Sequence, residues 1–135
     1  SHFIPALIRK VHDIKLNKKK QLSLWGNGLA KREVLYVNDL ADACVFFMNK
    51  KIKEPLINIG SGKDYSIKYY AELILKILIP EKKIKITLDK TKPNGTPRKV
   101  LNISLAKKYG WKSKINLKVA ILETYKDYIK KRSKY

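Results

Sequence analysis

His2 and His12 are the side chains of this chain best suited to move a proton near neutral pH, because small shifts in surroundings carry an imidazole across pH 7. His2 stands just ahead of an apolar periodic stretch, where a helix-terminal histidine without chemical duty is the plain alternative. His12 falls inside that stretch, on the side expected to face water. Cys44, the only cysteine, lies beside Phe46, Phe47 and Met48 and reads as a buried structural thiol, since apolar surroundings raise a thiol's pKa and silence it. Two histidines, one cysteine and scattered carboxylates give no metal-ligand spacing. Gly60-Ser61-Gly62 mimics the start of a dinucleotide fingerprint, but Tyr65 stands where the third glycine belongs. Read as a phosphate loop it fails too, with Ile57 in place of the first glycine and Asp64 in place of the magnesium-holding hydroxyl residue. A tight strand-to-helix turn is the reading left. No Gly-x-Ser-x-Gly elbow and no Tyr-x-x-x-Lys pair occurs.

The charge balance frames these residues. A net charge of +20 on 135 residues raises the question of nucleic acid. The cations are mostly lysines spread through every segment, and only Arg9, Arg32, Arg98 and Arg132 are arginines. No recognition-helix, zinc-finger or ribonucleoprotein pattern accompanies them, which favours a lysine-rich solvated surface, or a basic face for a small anion, over a nucleic-acid module. No apolar run reaches the ~18 residues of a membrane span. The start of the chain reads as an amphipathic helix and not as a signal peptide. One cysteine excludes an intrachain disulfide, which fits a cytoplasmic setting.

The elements that must position these groups follow from periodicity. Ile4, Leu7, Ile8, Val11 and Ile14 predict a helix over 4–16, with Pro5 in the first turn where its missing N–H costs nothing. Strands are expected over 21–25, 33–37, 56–59 and 83–89, the last from strict alternation of Ile84, Ile86 and Leu88 with polar residues. Asn38 or Asp39 is expected to cap a helix that gathers Leu40, Ala43, Cys44, Phe47 and Met48 on one face. Ser66 caps a long helix ending before Pro80. Residues 92–99 form a loop marked by Pro93-Asn94-Gly95 and Pro97. A short helix over 104–109 stops at Gly110, and a last helix over 117–131 carries Val119, Leu122, Tyr125 and Ile129, with a frayed tail.

Three stretches, read together, resemble one family. Residues 1–10, Ser-His-Phe-Ile-Pro-Ala-Leu-Ile-Arg-Lys, look like the Ser-His-x-Ile-Pro-Ala-Leu segment of GDP-L-fucose synthases. Leu24-Trp25-Gly26-Asn27-Gly28 and the run from Arg32 through Asp39 look like their Trp-Gly-x-Gly and Arg-Glu-Phe-x-x-Val-Asp-Asp sequence. Residues 92–99 resemble their Lys-Pro-Asp-Gly-Thr-Pro-Arg-Lys loop. The middle stretch is shared by many extended short-chain dehydrogenase/reductases acting on sugar nucleotides, and the outer two are more specific.

The resemblance implies an α/β fold: the C-terminal substrate-binding part of such an enzyme, one domain over 1–135, helices with short strands, the Rossmann half missing. It implies NADP bound mainly by that half, a GDP-sugar substrate, no nucleic-acid or membrane partner, and a homodimer when full-length. The implied reaction inverts carbons 3 and 5 of a GDP-4-keto-6-deoxymannose and reduces the ketone, which needs an acid and a base on opposite faces. His2 matches the family's catalytic histidine, which also lies by the nicotinamide. Arg32 matches a substrate-binding arginine and Lys99 a phosphate-facing lysine. Lys10 stands where arginine is usual, so a fork contact becomes a point charge, and Arg9 could replace it only with a shift. Trp25 matches a residue packed on the nucleotide. Asn94 replaces an aspartate, keeping an acceptor and losing a charge.

Overall fold

The computed structural model describes residues 2–132. Ser1, the first residue of the His2 motif, and the tail from 133 lie outside the described residues. Helix α1 (Phe3–Asn17) buries Leu7, Ile8, Val11 and Ile14, the stripe its 3.6-residue period lays on one side. It ends where Lys18 turns left-handed, φ 51°. Strand β1 (Gln21–Trp25) alternates, with Leu22 and Leu24 inward, as the sequence predicts. It pairs in parallel with β4 (Lys85–Asp89), Gln21 opposite Lys85 through Trp25 opposite Asp89.

A second sheet centres on β2 (Lys31–Glu33). On one side β3 (Asp64–Ser66) runs antiparallel, and on the other β5 (Arg98–Lys99) runs parallel. The remaining helices are α2 (Val37–Met48), α3 (Ile67–Leu78), α4 (Ser104–Lys108) and α5 (Leu117–Arg132). Ser66 caps α3 as expected, its hydroxyl accepting the Tyr69 N–H at 3.0 Å. None of the helices among the described residues is long and apolar enough to cross a membrane.

The main core joins α1, β1, α3 and α5, with Tyr70, Ile8, Leu22, Ile74, Ile79 and Val11 fully enclosed. A smaller cluster of Ala43, Ala106 and Trp111, flanked by Phe46, Phe47, Ile57 and Ile59, joins α2 to α4.

Several expectations are corrected. The second strand ends at Glu33 and α2 begins at Val37, and the three residues between them run without ladder bonds. Neither Asn38 nor Asp39 caps α2: its N-cap is Tyr36, without a side-chain bond. Asp39 instead is buried and accepts the Lys114 and Ile115 N–H groups, each at 3.1 Å. The α2 face read as core is mostly open: Cys44 is exposed, Leu40 is 44% exposed and Met48 83%. The burial-raised, inert thiol is therefore withdrawn. Residues 56–59 form no strand. On α5 the inward residues are Ile121 and Tyr125, while Val119 and Ile129 face outward. The helix persists to Arg132. His12 is buried, not at the surface.

Candidate substrate site

The 92–99 loop and the α1–β1 unit meet at a cleft of about 540 Å³. Its walls include Phe3, Arg9 and Lys10 from α1, Leu24 and Trp25 from β1, Arg32 from β2, and Pro93, Asn94 and Gly95 from the loop. Four of the side chains singled out in the sequence, Lys10, Trp25, Arg32 and Asn94, thus line one cavity. Lys99 is brought beside it, since it lies directly opposite Arg32 in the β2–β5 pair. Residues paired across a ladder share a face, so the two cations project from the same side of the sheet.

Each group is positioned by local chemistry. The Arg32 guanidinium donates from Nη1 to the carbonyls of Lys31 and Thr96, both at 2.7 Å. Gly95 has φ 70° and its Cα sits so close that an added β-carbon would lie 3.3 Å from Arg32 Nη2. Tyr70, buried, donates its hydroxyl to the Arg32 carbonyl at 2.8 Å, and burial raises its pKa well above the ordinary phenol range. Lys10 Nζ donates to the Ser23 carbonyl at 2.9 Å, which leans its charge across β1. Trp25 is 62% exposed, with the Lys92 ammonium 5.8 Å from its ring centroid. Asn94 Oδ1 accepts the Asn27 N–H at 2.8 Å, so the acceptor kept by the aspartate-to-asparagine change is spent on the Gly26–Gly28 turn. Arg9, expected to need a shift, lines the cleft beside Lys10. His2 is the exposed N-cap residue of α1; its neighbour Phe3, and not His2 itself, lines the cavity.

Two residues were missed. Glu33 accepts from the Gly62 N–H at 2.5 Å, the Ser61 hydroxyl at 3.3 Å and the Leu101 N–H at 2.7 Å. It ties the Gly60-Ser61-Gly62 turn to the segment just after β5. Arg98 forks onto Asp64 at 2.6 and 3.0 Å, which holds the Asp64 carboxyl below its usual range. Arg98 is therefore spent on joining β5 to β3.

A second cavity of about 330 Å³, lined by Tyr36, Asp39, Lys63 and Lys114 among others, has its carboxylate already saturated by backbone N–H groups. No cluster of three metal-ligating side chains occurs among the described residues. The Gly60–Gly62 turn does not fit a dinucleotide: a β-carbon at Gly60 would collide with the Glu33 carboxylate, and that carboxylate already takes the Gly62 N–H a phosphate would need.

The cleft, its arginine and its flanking short sheet form one α/β unit, and known proteins show what it is similar to. Residues 1–60 match the NAD dependent epimerase/dehydratase family. The relatives it resembles include GDP-L-fucose synthases, the family its motifs resemble: the chain is 43% identical over 129 residues to the putative GDP-L-fucose synthase 2 of Arabidopsis thaliana. That match covers 96% of this chain and 39% of the relative, so the chain spans about two fifths of the relative's length. It is 37% identical to the GDP-L-colitose synthase of Yersinia pseudotuberculosis, over 98% of this chain and 43% of that protein. In structure it is similar to the NADP-bound GDP-mannoheptose C4 reductase of Campylobacter jejuni, with TM-score 0.80 and 29% identity over 96% of this chain and 45% of that one.

Proposed function

We propose that residues 1–135 are the C-terminal substrate-binding domain of a cytoplasmic, homodimeric NADPH-dependent 3,5-epimerase/4-reductase. The reaction is conversion of GDP-4-keto-6-deoxymannose to GDP-L-fucose. The observation that carries this reading is the gathering of Lys10, Trp25, Arg32 and Asn94 around one cleft, with Lys99 opposite Arg32. A diphosphate carries its charge on oxygens spread over several ångströms, and cations converging from α1, β2 and β5 suit it better than one cation would. Trp25 offers an exposed ring for the base.

His2, at the cleft end of α1, is assigned the proton delivered to the sugar carbon during inversion. NADPH, when bound, supplies the hydride for the ketone. The Gly60–Gly62 turn is not its seat, and no cofactor step is assigned to this chain's residues beyond the proximity of His2. The similarity to the mannoheptose reductase favours a second reading, in which the same cleft takes another GDP-6-deoxy sugar such as a heptose derivative. Titration of the chain with GDP and with duplex DNA across a salt series tests the common core of both readings. Saturable GDP binding that outlasts DNA binding as salt rises is expected. Binding to DNA alone would overturn it in favour of a basic nucleic-acid module.

A further inference from the structure

Strands β1 and β4 run in parallel, so their first residues, Gln21 and Lys85, meet at one end and Trp25 and Asp89 at the other. The Trp25 end opens on the cleft. The Gln21 end collects lysines. The turn between α1 and β1 brings Lys18, Lys19 and Lys20, and the connection from α3 to β4 brings Lys82 and Lys83. The Lys85 N–H donates to the Lys20 carbonyl at 2.9 Å, and Lys15 Nζ donates to the Leu78 carbonyl at 3.4 Å, which ties the two segments together. Residues 15–20 hold four lysines and residues 76–85 four more, against one carboxylate, Glu81. All eight are exposed, and the ion pairs of the described residues lie elsewhere.

Ordinary structural duties account for three of these lysines. Lys15 and Lys76 stand in the last turns of α1 and α3, where a cation offsets the partial negative charge of a helix C-terminus. Lys85 lies on β4, which pairs with β1 alone among the described residues, and a lysine on an open edge discourages strand addition. Lys18, Lys19, Lys20, Lys82 and Lys83 have no such part. Their mutual repulsion works against the folded chain, and an anionic partner relieves it.

The side chains present define the kind of partner. Neither arginine nor an aromatic ring occurs in residues 15–20 or 76–85. Nucleic-acid surfaces draw on guanidinium forks and stacked rings, whereas ammonium groups act as point charges toward any dense anionic plane. Leu16, among these lysines, is 59% exposed. A groove of about 520 Å³ between α3 and β4 has Leu75, Ile79, Ile84 and Ile86 in its walls beside Lys82 and Lys83. Lysines interleaved with apolar side chains match a bilayer surface, where phosphates overlie an apolar layer. We propose that this end of the molecule docks on an anionic lipid surface. The lysines of 18–20 and 82–83 face the headgroup phosphates and Leu16 enters the acyl boundary. The cleft, roughly 13 Å away along a strand rising about 3.3 Å per residue, stays open to its own ligand. A membrane partner is absent from what the family resemblance implies, and the proposal is independent of what the cleft binds.

The test sediments this chain with vesicles of phosphatidylcholine alone, or of phosphatidylcholine and phosphatidylglycerol in equal parts. Binding to the anionic vesicles alone, weakening as salt rises, is expected. Lys19→Glu combined with Lys83→Glu should lower the partition at least ~20-fold, since each lysine at an anionic surface adds about 5-fold. Lys51→Glu combined with Lys53→Glu removes the same charge just after α2 and should lower it less than ~3-fold, because exposed charges act over only about 8 Å. Leu16→Ser should lower it about 5-fold with the salt dependence unchanged, as for a leucine partly withdrawn from water. Thermal unfolding followed by circular dichroism should be the same in all these variants. If the charge-reversed pair at 19 and 83 unfolds early, Lys20→Gln with Lys82→Gln gives the same readout. Equal binding to both kinds of vesicle overturns the proposal. So does an equal loss in the two charge-reversed pairs, which would mean that net charge alone acts. Binding untouched by Leu16→Ser overturns the lipid docking as well, and displacement by duplex DNA at equal phosphate would then assign the surface to nucleic acid.

Discussion

Arg32 is fixed before any anion arrives. Two carbonyls hold one of its nitrogens and Gly95 leaves room for another, so little side-chain entropy remains to be lost on binding. Arg32→Ala and Lys99→Ala should each weaken GDP binding about 10- to 100-fold, the range for one charge-assisted contact of about 1.5–3 kcal/mol, and flatten its salt dependence. Lys130→Ala should leave the calorimetric titration unchanged, since it lies on the last turn of α5. In a full-length enzyme carrying this segment, His2→Gln should slow solvent-hydrogen exchange at carbons 3 and 5 by 10²–10⁴-fold on the order expected of a general acid, with folding intact. Exchange followed by NMR at the wild-type rate would remove His2 from the chemistry. His12 shows what the sequence hid. Position 12 flanks the buried stripe of α1, and only the arrival of α5, more than a hundred residues later, encloses it. There its Nδ1 lies 3.0 Å from the Tyr125 hydroxyl, with Tyr128 packed edge-on. Burial lowers its pKa first, Arg132 and Lys15 lower it further, and Asp13 opposes them. A histidine whose folded pKa is depressed binds its proton better when unfolded, so its contribution to stability is complete above the ordinary value of 6.5 and is lost as pH falls through the folded value. Urea denaturation from pH 7.5 to 5 should therefore show a loss of stability in the wild type that His12→Asn lacks.

Among the elements, the three-residue strand β2 does the most for the site. It presents Arg32 to the cleft, pairs with Lys99, and sends Glu33 into the Gly60–Gly62 turn. Glu33→Gln keeps the shape and turns one acceptor into a donor facing a backbone N–H. A loss of about 1–3 kcal/mol in chemical denaturation is expected, with weaker GDP binding because Leu101 N–H, next to the Lys99 strand, loses its anchor. Stability within experimental error of the wild type would mean the turn holds itself. The long elements were legible: α1, β1 and α3 declare themselves by period and by the Ser66 cap. The sheet that builds the site was not. Strands β2, β3 and β5 have three, three and two residues, too short to show alternation, and their pairing is set by contacts 30 to 70 positions apart. Residues 92–99 were read as loop from Pro93, Gly95 and Pro97, and the two ladder residues at their end carry no signal of their own. The cleft was legible only because the resemblance placed Lys10, Trp25, Arg32 and Asn94 in one site.

At the scale of the molecule, the question is how a chain with +20 net charge distributes its charges. Several of its carboxylates are spent internally, on Arg98, on Lys114, and on the backbone N–H groups of Gly62, Lys114 and Ile115. The lysines are left to solvent and to anions that approach. A dinucleotide needs more than charge: it needs free N–H groups at a glycine-rich turn opening a helix. The Gly60–Gly62 turn leads into the three residues of β3 before α3 begins, and Glu33 already accepts its Gly62 N–H. NADPH should therefore fail to bind this chain at micromolar concentration, whereas GDP should bind, and the two can be separated by following NADPH fluorescence during titration and then displacing with GDP. The 2′-phosphate and diphosphate of NADPH will still be attracted by the lysine surface, so the experiment belongs at 150 mM salt or above, where exposed charges act over only about 8 Å. An increase in NADPH fluorescence that saturates in the micromolar range and survives that salt would show a cofactor site that the Gly60–Gly62 geometry does not provide. Gly62→Ala sharpens the comparison, because φ 68° and the nearby Ile103 side chain leave no room for a methyl group: it should unsettle the turn and lower stability without creating or removing any NADPH signal.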